Sequence, residues 1–206
     1  GNGYGLGRVE LGRAAAGWAD EVALGTVHEL TELPAGAGDS TTWLALTPAL
    51  DVPELLPAWA VPTVGRPEHV HALAARRWQG RVAVKLCSSM RRYGATPDEL
   101  AALLRAVLDA GCQVHCFVLH PPLVPERGDD AGNVDEIEAW LPAIDPSVTV
   151  SVSHLSPASY RALRERHPER RFRLRSGTAL WHGDKTAFHL SADVLDVRAV
   201  DAGGTA

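Results

Sequence analysis

Seven short β-rich runs alternate with helix-patterned segments along the chain, and that alternation leaves few folds open. The candidate strands are EVALGTV (21–27), TTWLALT (41–47), AVPTV (60–64), RVAVKLC (81–87), CQVHCFVLH (112–120), VTVSVSH (148–154) and RFRLR (171–175). Between two of them, TPDELAALLRAVLDAG (96–111) carries an apolar stripe of Leu100, Leu103, Leu104, Val107 and Leu108. Thr96 is placed to cap this helix, Pro97 suits its first turn, Glu99 completes a capping box and Gly111 ends it. SPASYRALRERHP (156–168) repeats the design, with Ser156 as cap and Pro168 as stop. Such alternation makes βαβ units, hence a parallel sheet covered by helices. Seven strands of this kind point to an α/β fold, a TIM-like (β/α)8 barrel that lacks its first strand. The missing strand would end just before Gly1. A doubly wound open sheet is the rival architecture.

The tail departs from this rhythm. TAFHLSADVLDVRAVDAGGTA (186–206) alternates hydrophobic and polar residues with no helix after it, as at the start of a C-terminal β-domain. The expected organisation is a barrel over 1–185 and the beginning of a second domain over 186–206, with both ends cut. A formal net charge of -5 argues against a nucleic-acid footprint, which needs a basic stripe. No run approaches the ~18 apolar residues of a membrane span. Cys87, Cys112 and Cys116 cannot all pair, and they read as free thiols of a cytoplasmic protein.

The opening GNGYGLG (1–7) fits neither the dinucleotide fingerprint nor the P-loop. It leads into the amphipathic segment RVELGRAAAGWAD (8–20), so it stands at a helix N-terminus, a place that suits an anion. Three strand ends add to it. KLCSSMRRYG (85–94) follows a strand with two serines, the only methionine and two arginines; VLHPP (118–122) ends another on His120; RLRSGTALWHGD (173–184) ends a third on Arg175, Gly177 and Thr178. In a parallel barrel these ends converge on one face, so together they point to a shared anionic ligand. A metal is not expected. In an ideal strand Cys112, Cys116 and His120 share one face and His115 takes the other, too dispersed for four zinc ligands. His69 and His71, at a helix start, are expected to be exposed. His28 lacks the second histidine of H-E-x-x-H, since Glu32 stands in its place.

These segments, in this order, resemble the alanine racemase family, the fold type III barrels that use pyridoxal 5'-phosphate (PLP). GNGYGLG is similar to the part of the family motif K-A-N-A-Y-G-H-G that follows its Schiff-base lysine, with Asn2, Tyr4, Gly5 and Gly7 matching. The resemblance therefore places that lysine immediately before Gly1, outside the chain, and gives Tyr4 a hydrogen bond to the cofactor phosphate. KLCSSMRRYG looks like K-x-D-T-G-M-x-R-x-G. Met90 then takes the methionine position beside the substrate, and Arg92 the arginine near the cofactor's phenolic oxygen and the substrate carboxylate. His120 matches the histidine that supports the ring-facing arginine. RSGTALW resembles R-P-G-I-x-L-Y, which makes Arg175 the partner of the pyridine nitrogen and puts the backbone around Gly177 and Thr178 on the phosphate. The family's Asp-Thr-Gly is Cys87-Ser88-Ser89 here, and its Asn-Ser is approached only by Ser153-His154-Leu155-Ser156, so Ser153 or Ser156 is the phosphate serine.

Lysine occurs at only two positions, Lys85 and Lys185. Lys85 coincides with the strand lysine that some racemases carbamylate; it could also be a Schiff-base lysine or a plain structural cation. Lys185 is expected to be solvated. The resemblance implies an isomerase of D-alanine biosynthesis that interconverts L- and D-alanine by removing and returning the α-proton. Its site would lie at a homodimer interface, with a tyrosine from the partner's C-terminal β-domain as one base. An arginine at Arg175 favours racemisation over decarboxylation, because it leaves the ring a weaker electron sink. This chain alone lacks both expected bases and would be inactive. The alternatives are another fold type III enzyme (a broad-specificity racemase, a D-amino-acid aldolase or dehydratase) and a non-catalytic PLP-binding barrel.

Overall fold

All seven β-rich runs form strands: β1 Glu21–Leu24, β2 Thr42–Ala45, β3 Ala60–Val64, β4 Arg81–Lys85, β5 Gln113–Val118, β6 Thr149–Val152 and β7 Phe172–Leu174. The computed structural model of the chain describes residues 3–33, 37, 40–123, 129–181, 183, 184, 186 and 193. Between the strands lie helices α1 Arg8–Ala16, α2 Pro67–Ala75, α3 Pro97–Asp109, α4 Ala131–Trp140 and α5 Pro157–Arg166, and a short α6 Thr178–Trp181 follows β7. The chain divides into two compact units, Gly1–Ser176 and Gly177–Ala206, each described here by itself. The β-structure expected over 186–206, and Lys185, lie outside the described residues apart from Thr186 and Asp193.

Each strand pairs in parallel with its neighbour in sequence, giving the order β1-β2-β3-β4-β5-β6-β7. A doubly wound sheet reverses its order at a switch point, and this one never does. The sheet curls as well, since Arg173 on β7 reaches Glu21 on β1 at 2.5 Å although these are the two ends of the strand order. This is part of a TIM-like barrel. Period-two alternation sorts the side chains: Leu44, Val61, Ala83, Cys116 and Val118 fill the concave side, while Trp43, Val64, Val84, Phe117 and Val152 meet Leu73, Leu103, Ile137 and Leu163 from the helices. No helix among the described residues is long and apolar enough to cross a membrane.

Local chemistry sets the helix boundaries. The Thr96 backbone N–H and hydroxyl both donate to Glu99 Oε2, at 2.9 and 3.0 Å, closing the expected capping box, and Gly111 leaves α3 at φ 71°. The buried face of α3 is narrower than the sequence suggests. Leu100, Leu103 and Val107 are buried, but Leu108 is 68% exposed, because it lies about 140° around the helix from Leu103. His69 is buried rather than exposed: its Nδ1 accepts the Gly65 N–H at 3.2 Å, and burial, then the nearby Arg66 charge, hold its pKa low. Strand β5 departs from ideal alternation. A bulge between its pairings with Val82 and Ala83 turns His115 inward beside Cys116, where it meets Arg81 at 3.5 Å and Glu21 at 2.7 Å. Cys112 packs on the opposite side, donating its thiol to the Trp78 carbonyl.

Candidate functional site

A parallel sheet collects the C-terminal ends of its strands on one edge, and here that edge gathers Lys85 as the last residue of β4, His120 after β5, Ser153 after β6 and Arg175 after β7. The guanidinium of Arg175 is the centre of the arrangement. Its Nη1 donates to the Ser151 carbonyl at 2.7 Å and the Ser151 hydroxyl at 2.9 Å; its Nη2 donates to the Leu119 carbonyl at 3.0 Å and the Ser153 hydroxyl at 3.4 Å. Every acceptor is neutral. Burial lowers its pKa to about 10, so it stays charged at neutral pH.

Ser153 relays this arrangement to His120, whose Nδ1 lies 2.7 Å from the serine oxygen. Because Ser153 already accepts from Arg175, its own proton is free to donate to the imidazole. Burial, then the charges of Lys85, His154, Arg175 and Arg92, push the pKa of His120 down to about 4, so the ring is neutral. Its proton then sits on Nε2. The His154 ring packs on His120 with centroids 4.6 Å apart, and His154 Nδ1 donates to the Pro121 carbonyl at 2.8 Å. His154 adopts a left-handed backbone, φ 58°, unusual for a residue with a side chain.

Lys85 is only 8% exposed, and among the described residues its ammonium has neither a hydrogen bond nor an ion pair. Burial, then Arg175 and Arg92, bring its pKa down to about 7. Lys85→Met is therefore expected to raise the melting temperature at pH 6 by roughly 5 °C, since it removes a buried unpaired cation at similar volume. The sign in pH follows. The folded lysine binds fewer protons than the unfolded one between pH 7 and about 10.4, so wild-type stability climbs across that window. Thermal melts at pH 6, 8 and 9.5 should show the advantage of Lys85→Met shrinking as pH rises; a lower melting temperature at pH 6 would contradict the assignment.

Arg92 and Met90 stand on the loop after β4, with Arg92 exposed 5.6 Å from the Tyr93 ring centroid and Met90 partly buried. Tyr4 sits in the turn before α1, 49% exposed, with its backbone in the left-handed region at φ 57°. The two candidate serines are used differently. The Ser156 hydroxyl accepts the Ser159 N–H at 3.1 Å, capping α5 as expected, and the Ser156 N–H donates to Asp130 at 2.6 Å. A carboxylate thus stands at that helix N-terminus, while Ser153 is buried within the cationic cluster. Gly177 and Thr178 belong to the second unit, where Gly177 precedes α6 and its carbonyl accepts from Leu180 and Trp181 at 3.0 Å each.

Sequence reasoning overlooked Ser151 and His154. Ser151 was legible, because it lies two residues before Ser153 and so shares its face of β6. His154 was not, because only its φ turns it back onto His120.

A family model described as the alanine racemase N-terminal domain matches residues 1–184. No curated protein matches the chain in sequence. Among solved structures, an alanine racemase of Clostridium difficile 630 in complex with cycloserine aligns with a TM-score of 0.59 at 18% identity, over 94% of this chain and 54% of that one. An SrLDC variant in complex with PLP aligns at 0.58 and 15% identity, over 80% and 52%. A lysine/ornithine decarboxylase of Vibrio vulnificus complexed with cadaverine aligns at 0.56 and 14% identity, over 80% and 51%. The chain thus spans about half the length of these structures, which share its fold. With its seven parallel strands in unbroken order and a family model that fits residues 1–184 and so all of them, the chain belongs to the alanine racemase N-terminal domain family.

Proposed function

We propose that the complete protein is a PLP-dependent amino-acid racemase acting on alanine. The observation that carries the reading is the gathering of Lys85, Arg92, His120 and Arg175 at the strand ends, with no carboxylate among the hydrogen-bond partners of Arg175 and none paired to Lys85 among the described residues. Cations not paired with a carboxylate in this way suit an anionic planar group such as PLP. When bound, PLP supplies a conjugated electron sink for an α-carbanion.

The chain's own residues supply binding and charge control. Arg175 would face the ring nitrogen. Held by four neutral acceptors and charged at neutral pH, it keeps its protons and would leave that nitrogen unprotonated. This favours return of a proton over more drastic bond cleavage and supports racemase over decarboxylase, a distinction that the fold similarities leave open. His120, neutral and fixed through Ser153, buttresses Arg175 without adding charge. Arg92 would hold the substrate carboxylate, with Met90 on the same loop. Of the two serines, Ser153 is our choice for the cofactor, because it lies among cations, whereas Ser156 has the Asp130 carboxylate on its N–H, a poor neighbour for a phosphate. We further propose a homodimer in the cytoplasm, where Cys87, Cys112 and Cys116 would stay reduced.

The test is direct. The complete protein, purified with PLP, should retain a visible absorbance band and interconvert L- and D-alanine in a chiral assay. No band would sink the cofactor reading; a band with amine release from lysine or ornithine, and no racemisation, would replace racemase with decarboxylase.

A further inference from the structure

One helix ties three of the strand-end loops together. From Asp130 to Trp140, the side chains at 130, 133, 136 and 140 lie along one face of α4 and its N-terminal flank. Asp130 accepts from the Ser156 N–H and the Ser159 hydroxyl, both at 2.6 Å. Buried Asn133 donates to the Pro122 carbonyl after β5 at 3.1 Å and to the His154 carbonyl after β6 at 3.0 Å. The Glu136 carboxylate accepts the Ser89 N–H at 2.5 Å and the Ser89 hydroxyl at 2.9 Å, and Trp140 Nε1 donates to the Cys87 carbonyl at 3.2 Å.

The loop after β4 shows why the Glu136 contact matters. Its neck is closed by backbone bonds from Cys87 N–H to Ala95 and from Ala95 N–H to Lys85, both 2.9 Å. Gly94, at φ 114°, passes so close that a Cβ there would lie 2.5 Å from the Leu86 carbonyl carbon. Inside the loop the Arg91 N–H donates to the Ser88 carbonyl at 2.8 Å, with Arg91 itself at φ 50°. Arg92 therefore lies between a neck locked by the backbone and a tip held by the carboxylate of Glu136.

We propose that Glu136 is a positioning residue that sets Arg92 through Ser89, in a segment where the racemase pattern has Asp-Thr-Gly and this chain has Cys87-Ser88-Ser89. A carboxylate that takes both donors of one residue fixes that residue's place and orientation better than a single bond. The inference rests on the reading of Arg92 as the substrate-carboxylate residue.

The test uses the complete protein with PLP and the variants Glu136→Ala, Glu136→Gln and Ser89→Ala. Glu136→Ala should raise KM for alanine about ten-fold with kcat within two-fold and the cofactor band unchanged. It should also speed deuterium exchange in the peptide spanning 86–95. Glu136→Gln, which can still bond Ser89, should restore both readouts, and Ser89→Ala, which keeps the N–H contact, should fall between. Unchanged exchange in Glu136→Ala would overturn the clamp, and faster exchange with unchanged KM would overturn its positioning role. A wild-type protein without a cofactor band would defeat the cofactor reading alone, since the exchange comparison still decides the clamp.

Discussion

Arg175→Ala in the complete protein is expected to lower racemisation by about 10²–10³-fold, the scale on which removal of a preorganised electrostatic donor is felt. Arg175 joins the β6 backbone at Ser151, the β5 end at Leu119, and the Ser153 hydroxyl that orients His120. Truncation would leave the Ser151 and Ser153 hydroxyls without their cation and the Ser153–His120 pair without its anchor. Arg175→Lys should not recover the activity, because a point charge on a flexible stem cannot meet four acceptors set by a planar fork. Arg175→Glu should shift the cofactor absorbance band, since an acid in that place can hold a ring proton. The measurements are kcat in both directions and the visible spectrum. Activity of Arg175→Ala within three-fold of wild type would remove Arg175 from the reaction.

The second large effect lies at the other end of the strands. Glu21 has a side chain only 7% exposed, and its Oε2 is 2.7 Å from His115 Nε2 and 2.5 Å from Arg173 Nη1. It connects β1 with β5 and with β7, which the strand order keeps apart, and so it ties the curled sheet across its concave side. Glu21→Ala is expected to cost about 2 kcal/mol, or roughly 4–8 °C in melting temperature, because it removes the acceptor of His115 and the charge partner of the partly exposed Arg173. Glu21→Gln should cost less, because it keeps an acceptor.

Acid should erase part of this contribution. Burial alone would raise the Glu21 carboxyl, but the His115 hydrogen bond and the Arg173 charge outweigh it and hold the pKa below the usual carboxylate value. A group depressed on folding stabilises fully above its unfolded pKa and loses that contribution as pH falls through the folded one. Urea midpoints measured from pH 7 to pH 3 should therefore show wild type and Glu21→Gln converging on acidification. A gap that stays constant with pH would mean that Glu21 acts through packing and not through its charge.

Much of the site was readable in order along the chain. His120 and Arg175 close the runs 112–120 and 171–175, and although the strands themselves are shorter, both residues still stand just past β5 and β7; Arg92 follows from the loop that β4 must enter. What periodicity could not supply was any departure from periodicity. The β5 bulge placed His115 inside with Cys116, where ideal alternation puts them on opposite faces. His69 turned inward because its Nδ1 takes the N–H of Gly65, which lies between β3 and α2. The choice between Ser153 and Ser156 depended on Asp130, distant in sequence and adjacent only through the packing of α4 on α5. For Gly177 and Thr178, the phosphate role rests on the resemblance.

By itself the sequence determined the parallel strands, the capped helices between them and the residue types at each strand end. Those features depend on neighbours a few positions apart, where dihedral preference and spacing act directly. Only the tertiary structure decided the strand order without reversal, the protonation of His120, the depressed pKa of Lys85 and the hold of Glu136 on the Arg92 loop. Each of these arises from burial or from charges brought together across long stretches of chain. Field strength and desolvation depend on distance in space, which separation in sequence does not encode.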